Sequence, residues 1–207
     1  MLTDTQLEFM SDRMGIPLAK EGVVFKNELP KKLEYNKSYF INLENSVDEN
    51  GQNQGTHWTC LQVNKYKDGK IQPFYFDPYG MPPPENIKKV VMENTGQKLP
   101  FNTKDIQSLM NNACGYYCSA LLHYVNKWSG RTGDLYLDAE HFLDMFDDLN
   151  KSVDFKKNEY ILKHFFQSSD PKLRKVIEID DIVNNDSGGL DGMGMRIPAD
   201  IKIMKMK

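Results

Sequence analysis

Three residues whose side chains can together hydrolyse an amide bond stand in the order His57, Asp77, Cys114. A thiolate is the attacking species in such chemistry, so the cysteine needs a base beside it and a positive local field. A histidine supplies both, and a carboxylate on its other ring nitrogen fixes tautomer and orientation. Donors aimed at the developing oxyanion, usually backbone N–H groups and an amide side chain, complete the set. Of the three cysteines, Cys60 follows His57 by three positions on an expected strand, where alternation turns it away from the base. Cys118 falls on the apolar stripe of an expected helix, where a thiol is packing. Cys114 opens that helix, where the macrodipole favours a thiolate. Gly115 after it leaves room for a substrate carbonyl to approach the backbone. Cys114 is the candidate nucleophile.

Each residue also has an ordinary reading. A lone cysteine is commonly buried packing, and Asp77 in Asp77-Pro78-Tyr79-Gly80 can open a turn. His123, His141 and His164 each fall on an expected helix and read as structural. Zinc is the other chemistry these residue types allow, since Cys114 and Cys118 are four apart and His57 and Cys60 three apart. No tight Cys-x-x-Cys pair occurs, and the facing of Cys60 works against a shared site, so no metal is expected.

The elements that must carry these residues are legible in outline. Thr3-Asp4-Thr5-Gln6 is a capping box, followed by Leu7, Phe9, Met10 and Met14 at helical spacing and stopped by Gly15-Ile16-Pro17. A Lys/Glu-rich connector follows. Residues 38–44 alternate with period two as a strand, and residues 57–63 and 71–77 are two further strands. Lys67-Asp68-Gly69-Lys70 between them is a hairpin signal. A strict two-residue turn at Asp68-Gly69 sets His57 opposite Gly80, so Asp77 reaches His57 only through a longer loop, a bulge or a stagger. Residues 85–94 read as a short helix and 114–128 as a buried one, with Tyr117, Cys118, Leu121, Tyr124, Val125 and Trp128 at three- and four-residue steps. Residues 138–149 and 158–167 read as two more helices. Strands followed by helices without strict alternation predict an α+β fold, a central mixed or antiparallel sheet flanked by helices.

Composition sets outer bounds. The 207 residues are 40% hydrophobic, enough for one sizeable core. Lys+Arg 26 against Asp+Glu 29 leaves a net charge of −3, which does not support nucleic-acid binding. No apolar run of ~18 residues occurs, so no membrane partner is expected. The first residues lack the order of a secretory signal, and the odd cysteine number fits a reducing compartment. One soluble, intracellular domain over residues 1–182 is expected. The Gly/Asn/Asp-rich stretch and short basic tail of residues 183–207 would follow it.

Three segments carry a resemblance: Gly55-Thr56-His57-Trp58, Tyr75-Phe76-Asp77-Pro78-Tyr79-Gly80, and the run from Gln107 through Asn111-Asn112-Ala113-Cys114-Gly115 to Cys118. They resemble the adenovirus maturation protease (adenain) family, related to the SUMO-specific proteases. The look is nearest that of enzymes from virophages, Maverick/Polinton elements and large DNA viruses. Glu28-Leu29-Pro30 and Tyr39-Phe40-Ile41-Asn42-Leu43 look like that branch too, and the resemblance spans roughly residues 3 to 167. It implies His57 as general base and then acid, Asp77 as its orienting carboxylate and Cys114 as nucleophile. Gln107, seven residues before Cys114, would serve as an oxyanion donor beside the Cys114 N–H. Trp58 would pack near the active site, with core packing an equal reading. Substrates would be viral capsid and virion precursor polypeptides cut at Gly-containing sites, in the virion, the host cytoplasm or a virus factory.

Leu190-Asp191-Gly192-Met193-Gly194 fits one adenain-type cleavage pattern, with the cut between Met193 and Gly194, or is simply a Gly-rich tether. No cofactor is expected, although adenovirus enzymes are stimulated by a short basic peptide and by DNA. The tail from Ile201 to Lys207 could add a strand in such a role. Two other functions compete with precursor processing: deconjugation of ubiquitin-like Gly-Gly C-termini, and a catalytically silent interaction module.

Overall fold

Thr3 caps helix α1 (Asp4–Met14) by accepting from the Gln6 backbone N–H at 3.3 Å. The Gln6 side chain in turn accepts from the Thr3 N–H at 2.8 Å. This is the reciprocal box read from the sequence. Leu7, Met10 and Met14 face the core, while Phe9 is exposed. The computed structural model describes residues 2–46, 57–109, 111–127, 132–151 and 155–166. Trp128, the tail of residues 183–207, the 182/183 boundary and the Met193–Gly194 pair lie outside them.

The expected Lys/Glu-rich connector is instead a strand, β1 (Leu18–Phe25). Exposed Lys20 and Glu21 sit at an irregularity in its pairing between Leu18 and Val23. A bulged edge strand breaks period-two alternation, so no clean pattern exists to read. β2 (Lys37–Asn42), β3 (Trp58–Lys65) and β4 (Ile71–Phe76) complete a sheet of order β1-β2-β3-β4. β1 runs parallel to β2 and the other neighbours are antiparallel, the mixed sheet of an α+β fold. Among the described residues, no helix is long and apolar enough to cross a membrane.

Strand alternation divides the core in two. Tyr39, Ile41, Leu61, Val63 and Tyr75 pack against Ile87 and Val91 of α2 (Glu85–Thr95). On the opposite face Phe40, Trp58, Cys60, Phe74 and Phe76 pack against α3 (Cys114–Lys127), with α1, α4 (Leu135–Leu143) and α5 (Phe155–Phe166) around it. Every residue of α3 from Cys114 through Val125 is buried. Each large apolar side chain so buried contributes roughly 1.5–3 kcal/mol. The helix that starts with Cys114 is therefore held by the core rather than by a loop.

The later helices begin earlier than periodicity predicts. Asp134 caps α4 by accepting from the Tyr136 and Leu137 N–H groups at 3.0 and 3.3 Å, so the helix starts at Leu135. It stops at Leu143, after which the Leu149 N–H donates to the Asp105 carbonyl at 2.8 Å, outside any helical ladder. α5 starts three residues ahead of the expected Asn158, whose side chain instead ties Ile106 and Asp147 to the helix.

Candidate active site

The β3–β4 register brings His57 and Asp77 together. Tyr66 to Lys70 form a five-residue connection between paired Lys65 and Ile71, closed by Tyr66 N–H to the Lys70 carbonyl at 2.8 Å. Cys60 pairs with Phe76. Continued past the strand ends, this register sets Thr59 opposite Asp77 and His57 opposite Tyr79, so His57 and Asp77 share a face as diagonal neighbours. A two-residue turn would shift the register by one and send Asp77 to the other face. The longer loop thus answers the spacing difficulty seen in the sequence. His57 Nε2 lies 2.9 Å from Asp77 Oδ1.

Asp77 is clamped through its backbone and through Oδ1. Its N–H donates to Asn102 Oδ1 at 2.9 Å, and its carbonyl accepts from Asn102 Nδ2 at 2.7 Å, a side-chain imitation of a strand partner. Oδ1 also accepts the Tyr79 N–H at 2.8 Å. The Pro78 carbonyl accepts from the Ile106 and Gln107 N–H groups at 2.9 and 3.2 Å, so the loop bearing Gln107 hangs from the same turn. Gly80 closes that turn at φ +70°, where a Cβ would meet the Thr103 carbonyl oxygen at 2.8 Å. Only glycine fits both demands.

Cys114, the first residue of α3, accepts the Trp58 N–H on Sγ at 3.4 Å. Its thiol lies close enough to the His57 ring to act on its protonation. With Nε2 engaged by Asp77, Nδ1 is the ring nitrogen left for the sulfur. Burial pushes the imidazole down, but the hydrogen bonds and charges of Asp77 and Cys114 outweigh it and hold His57 up to about 9. Cys60 and Cys118 stay in the core, contacting the Cys118 and Trp58 carbonyls at 3.9 and 3.4 Å. Burial pushes the Cys118 thiol up.

Gln107 is buried beside this pair. Its Nε2 donates to the Asn111 carbonyl at 3.0 Å and to Tyr79 Oη at 3.3 Å. Its Oε1 and Asp77 Oδ2 have no hydrogen-bond partner among the described residues.

Gly115 is a correction. A Cβ there would meet Leu2 Cδ1 at 2.9 Å and Leu7 Cδ2 at 3.3 Å, so the missing side chain admits the N-terminal segment rather than a substrate carbonyl. Trp58 meets both of its readings. It is buried in the core, and its indole N–H donates to the Leu2 carbonyl at 2.8 Å while its backbone serves Cys114.

Four positioning residues escape the sequence. Leu2 packs behind the nucleophile, Asn102 grips Asp77, and Tyr79 stacks on His57 with ring centroids 4.6 Å apart. Asn111 accepts from both Gln107 and the Ala113 N–H and ties the loop to Glu159 of α5. Tyr79, inside the Asp77-Pro78-Tyr79-Gly80 motif, and Asn111, inside the run from Gln107 to Cys118, had a local signal; Leu2 and Asn102 had none. His123 bonds the Met14 carbonyl, and His164 lies tilted against the Tyr160 ring, both apart from the site. Among the described residues, no three His, Cys, Asp or Glu side chains converge as metal ligands would. No protein-family model and no curated protein sequence matches the chain.

Asn102→Ala is expected to cost about 1–3 kcal/mol, because it orphans the buried Asp77 N–H. Activity should fall with it as the carboxylate loosens. Urea unfolding with parallel peptide assays checks both, and a wild-type midpoint would contradict the clamp.

Proposed function

We propose that this protein is a cysteine endopeptidase. The observation that carries the reading is the single His57 ring, hydrogen-bonded to Asp77 at 2.9 Å and held charged jointly by that carboxylate and by the thiol at the start of a buried helix. Cys114 Sγ attacks the scissile carbonyl, and the oxyanion lies near the Cys114 N–H and the Gln107 side. His57 gives its proton to the leaving amine, and then activates water to release the acyl group. The residue order and motifs favour viral precursor polypeptides cut at Gly-containing sites, in a virion or an infected cell.

The test is iodoacetamide labelling near neutral pH followed by hydrolysis of a peptide library. Selective alkylation of Cys114, slowed by His57→Ala, with cleavage after glycine, is the expected result. Equal slow labelling of all three cysteines would make the protein a silent module. Cleavage confined to ubiquitin or SUMO conjugates would move it to the deconjugating enzymes.

The raised His57 value sets the alkaline limit. Above about 9 the imidazolium loses its proton, and kcat/KM is expected to fall tenfold per pH unit. The same ion pairing stabilises the fold fully below the ordinary histidine value near ~6.5, and that contribution fades as pH rises through about 9. A pH–rate profile flat to pH ~10.5 would contradict the arrangement.

A further inference from the structure

The Gln107 carboxamide carries two N–H protons, and both are engaged within the protein. One goes to the Asn111 carbonyl at 3.0 Å and the other to Tyr79 Oη at 3.3 Å. A primary amide has no third proton to offer. Nor can the amide be turned over, because a backbone carbonyl only accepts and so fixes nitrogen on the Asn111 side. As folded, Gln107 has no N–H free for an oxyanion.

Tyr79 has what Gln107 lacks. Its oxygen accepts from Gln107, which turns its own O–H elsewhere, and among the described residues no hydrogen-bond acceptor takes that proton. Its ring lies on His57 at 4.6 Å and 25°, and its backbone N–H holds Asp77 Oδ1 at 2.8 Å. One residue therefore touches three members of the set. Burial, together with the charges of Cys114 and Asp77, pushes the phenol up to about 12. It stays neutral, and able to donate, across the working range. Accepting a hydrogen bond from Gln107 also polarises its O–H and strengthens it as a donor.

We propose that the Tyr79 hydroxyl, polarised by Gln107, is the side chain that donates to the oxyanion formed at Cys114, beside the Cys114 backbone N–H. The inference rests on the protease reading and deepens it by making Tyr79 a catalytic residue and Gln107 its positioning partner. In the step itself the thiolate adds to the carbonyl carbon, and the C=O π pair moves to oxygen. That oxygen accepts the Tyr79 hydrogen bond without taking the proton. When the pair returns, the C–N bond breaks and the amine leaves with the proton from His57. A thioester remains for water to cleave.

Tyr79→Phe keeps the ring stack and the backbone bond and removes only the hydroxyl. On a fluorogenic glycine-containing peptide, kcat is expected to fall on the order of 10²–10³-fold, as for loss of one oxyanion donor, with KM within about twofold. Affinity for a peptide aldehyde should weaken in parallel, because its adduct with Cys114 places an oxygen in the same position. Alkylation of Cys114 by iodoacetamide forms no oxyanion and should keep its wild-type rate and pH profile. Gln107→Ala should lower kcat as well, and the double variant should be no slower than Tyr79→Phe alone, since the two act in series. Wild-type or raised kcat in Tyr79→Phe overturns the proposal, because the hydroxyl would then merely occupy Gln107 until substrate displaces it. So do additive losses in the double variant. If the wild type neither cleaves peptide nor alkylates selectively at Cys114, the protease reading has failed and takes the proposal with it.

Discussion

Cys114→Ser is expected to lower kcat/KM at least ~10⁴-fold while leaving the fold as stable as the wild type. The loss follows from the acidity of the attacking group. Asp77 and Cys114 together hold the wild-type ring up to about 9; the serine hydroxyl withdraws the Cys114 share and is too weak an acid to stand ionised beside an imidazole. A thiol ionises within the range where such a ring is charged, and an alcohol does not. Stability follows from the other contact. The serine oxygen still accepts the Trp58 N–H that Cys114 Sγ now accepts at 3.4 Å. Cys114→Ala should lose the same activity and, in addition, about 1–3 kcal/mol, because the buried Trp58 donor is left alone. Active-site titration with a peptide substrate and urea unfolding of all three proteins separate the two effects. Residual activity above ~1% in Cys114→Ser would remove Cys114 as the nucleophile.

Asp77→Asn carries the second large effect. The asparagine oxygen can still accept from His57 Nε2 and from the Tyr79 N–H, so the turn and its Asn102 clamp should survive. What disappears is the negative charge beside the imidazole. The rate is expected to drop on the order of 10²–10⁴-fold, the range seen when a triad carboxylate is neutralised with its geometry kept. The His57 value should fall from about 9, since the charge and hydrogen bond that oppose burial are weakened. The alkaline limb of kcat/KM then moves to lower pH. An NMR titration of the ring and a pH–rate profile on the same sample read both consequences. An unmoved limb would mean that Cys114 alone holds His57 charged.

The choice of cysteine was open to local reasoning because it needs only local rules. Alternation along β3 excludes Cys60, helical spacing in α3 excludes Cys118, and both thiols bond core carbonyls in the fold. The capping box of α1 and the hydrophobic spacing of α3 are short-range in the same sense, and both elements form where the pattern places them. β1 is the counter-case. Lys20 and Glu21 at its irregular pairing erase the alternation that identifies a strand, and only the row of β2 partners reveals it.

Residue types and their order along the chain were thus enough to nominate His57, Asp77, Gln107 and Cys114 as candidates and to predict the class of fold. Their meeting depends on quantities that no local pattern encodes. Whether His57 and Asp77 share a sheet face turns on one residue in the 66–70 connection, and packing across both faces selects that register. Asn102 grips Asp77 from 25 positions away, and Tyr79 reaches Gln107 across 28. Leu2 fills the space before Gly115 that the sequence assigned to substrate. Directional hydrogen bonds and close-packed side chains act only at contact distance, and contact between such remote residues exists only once the whole chain has folded.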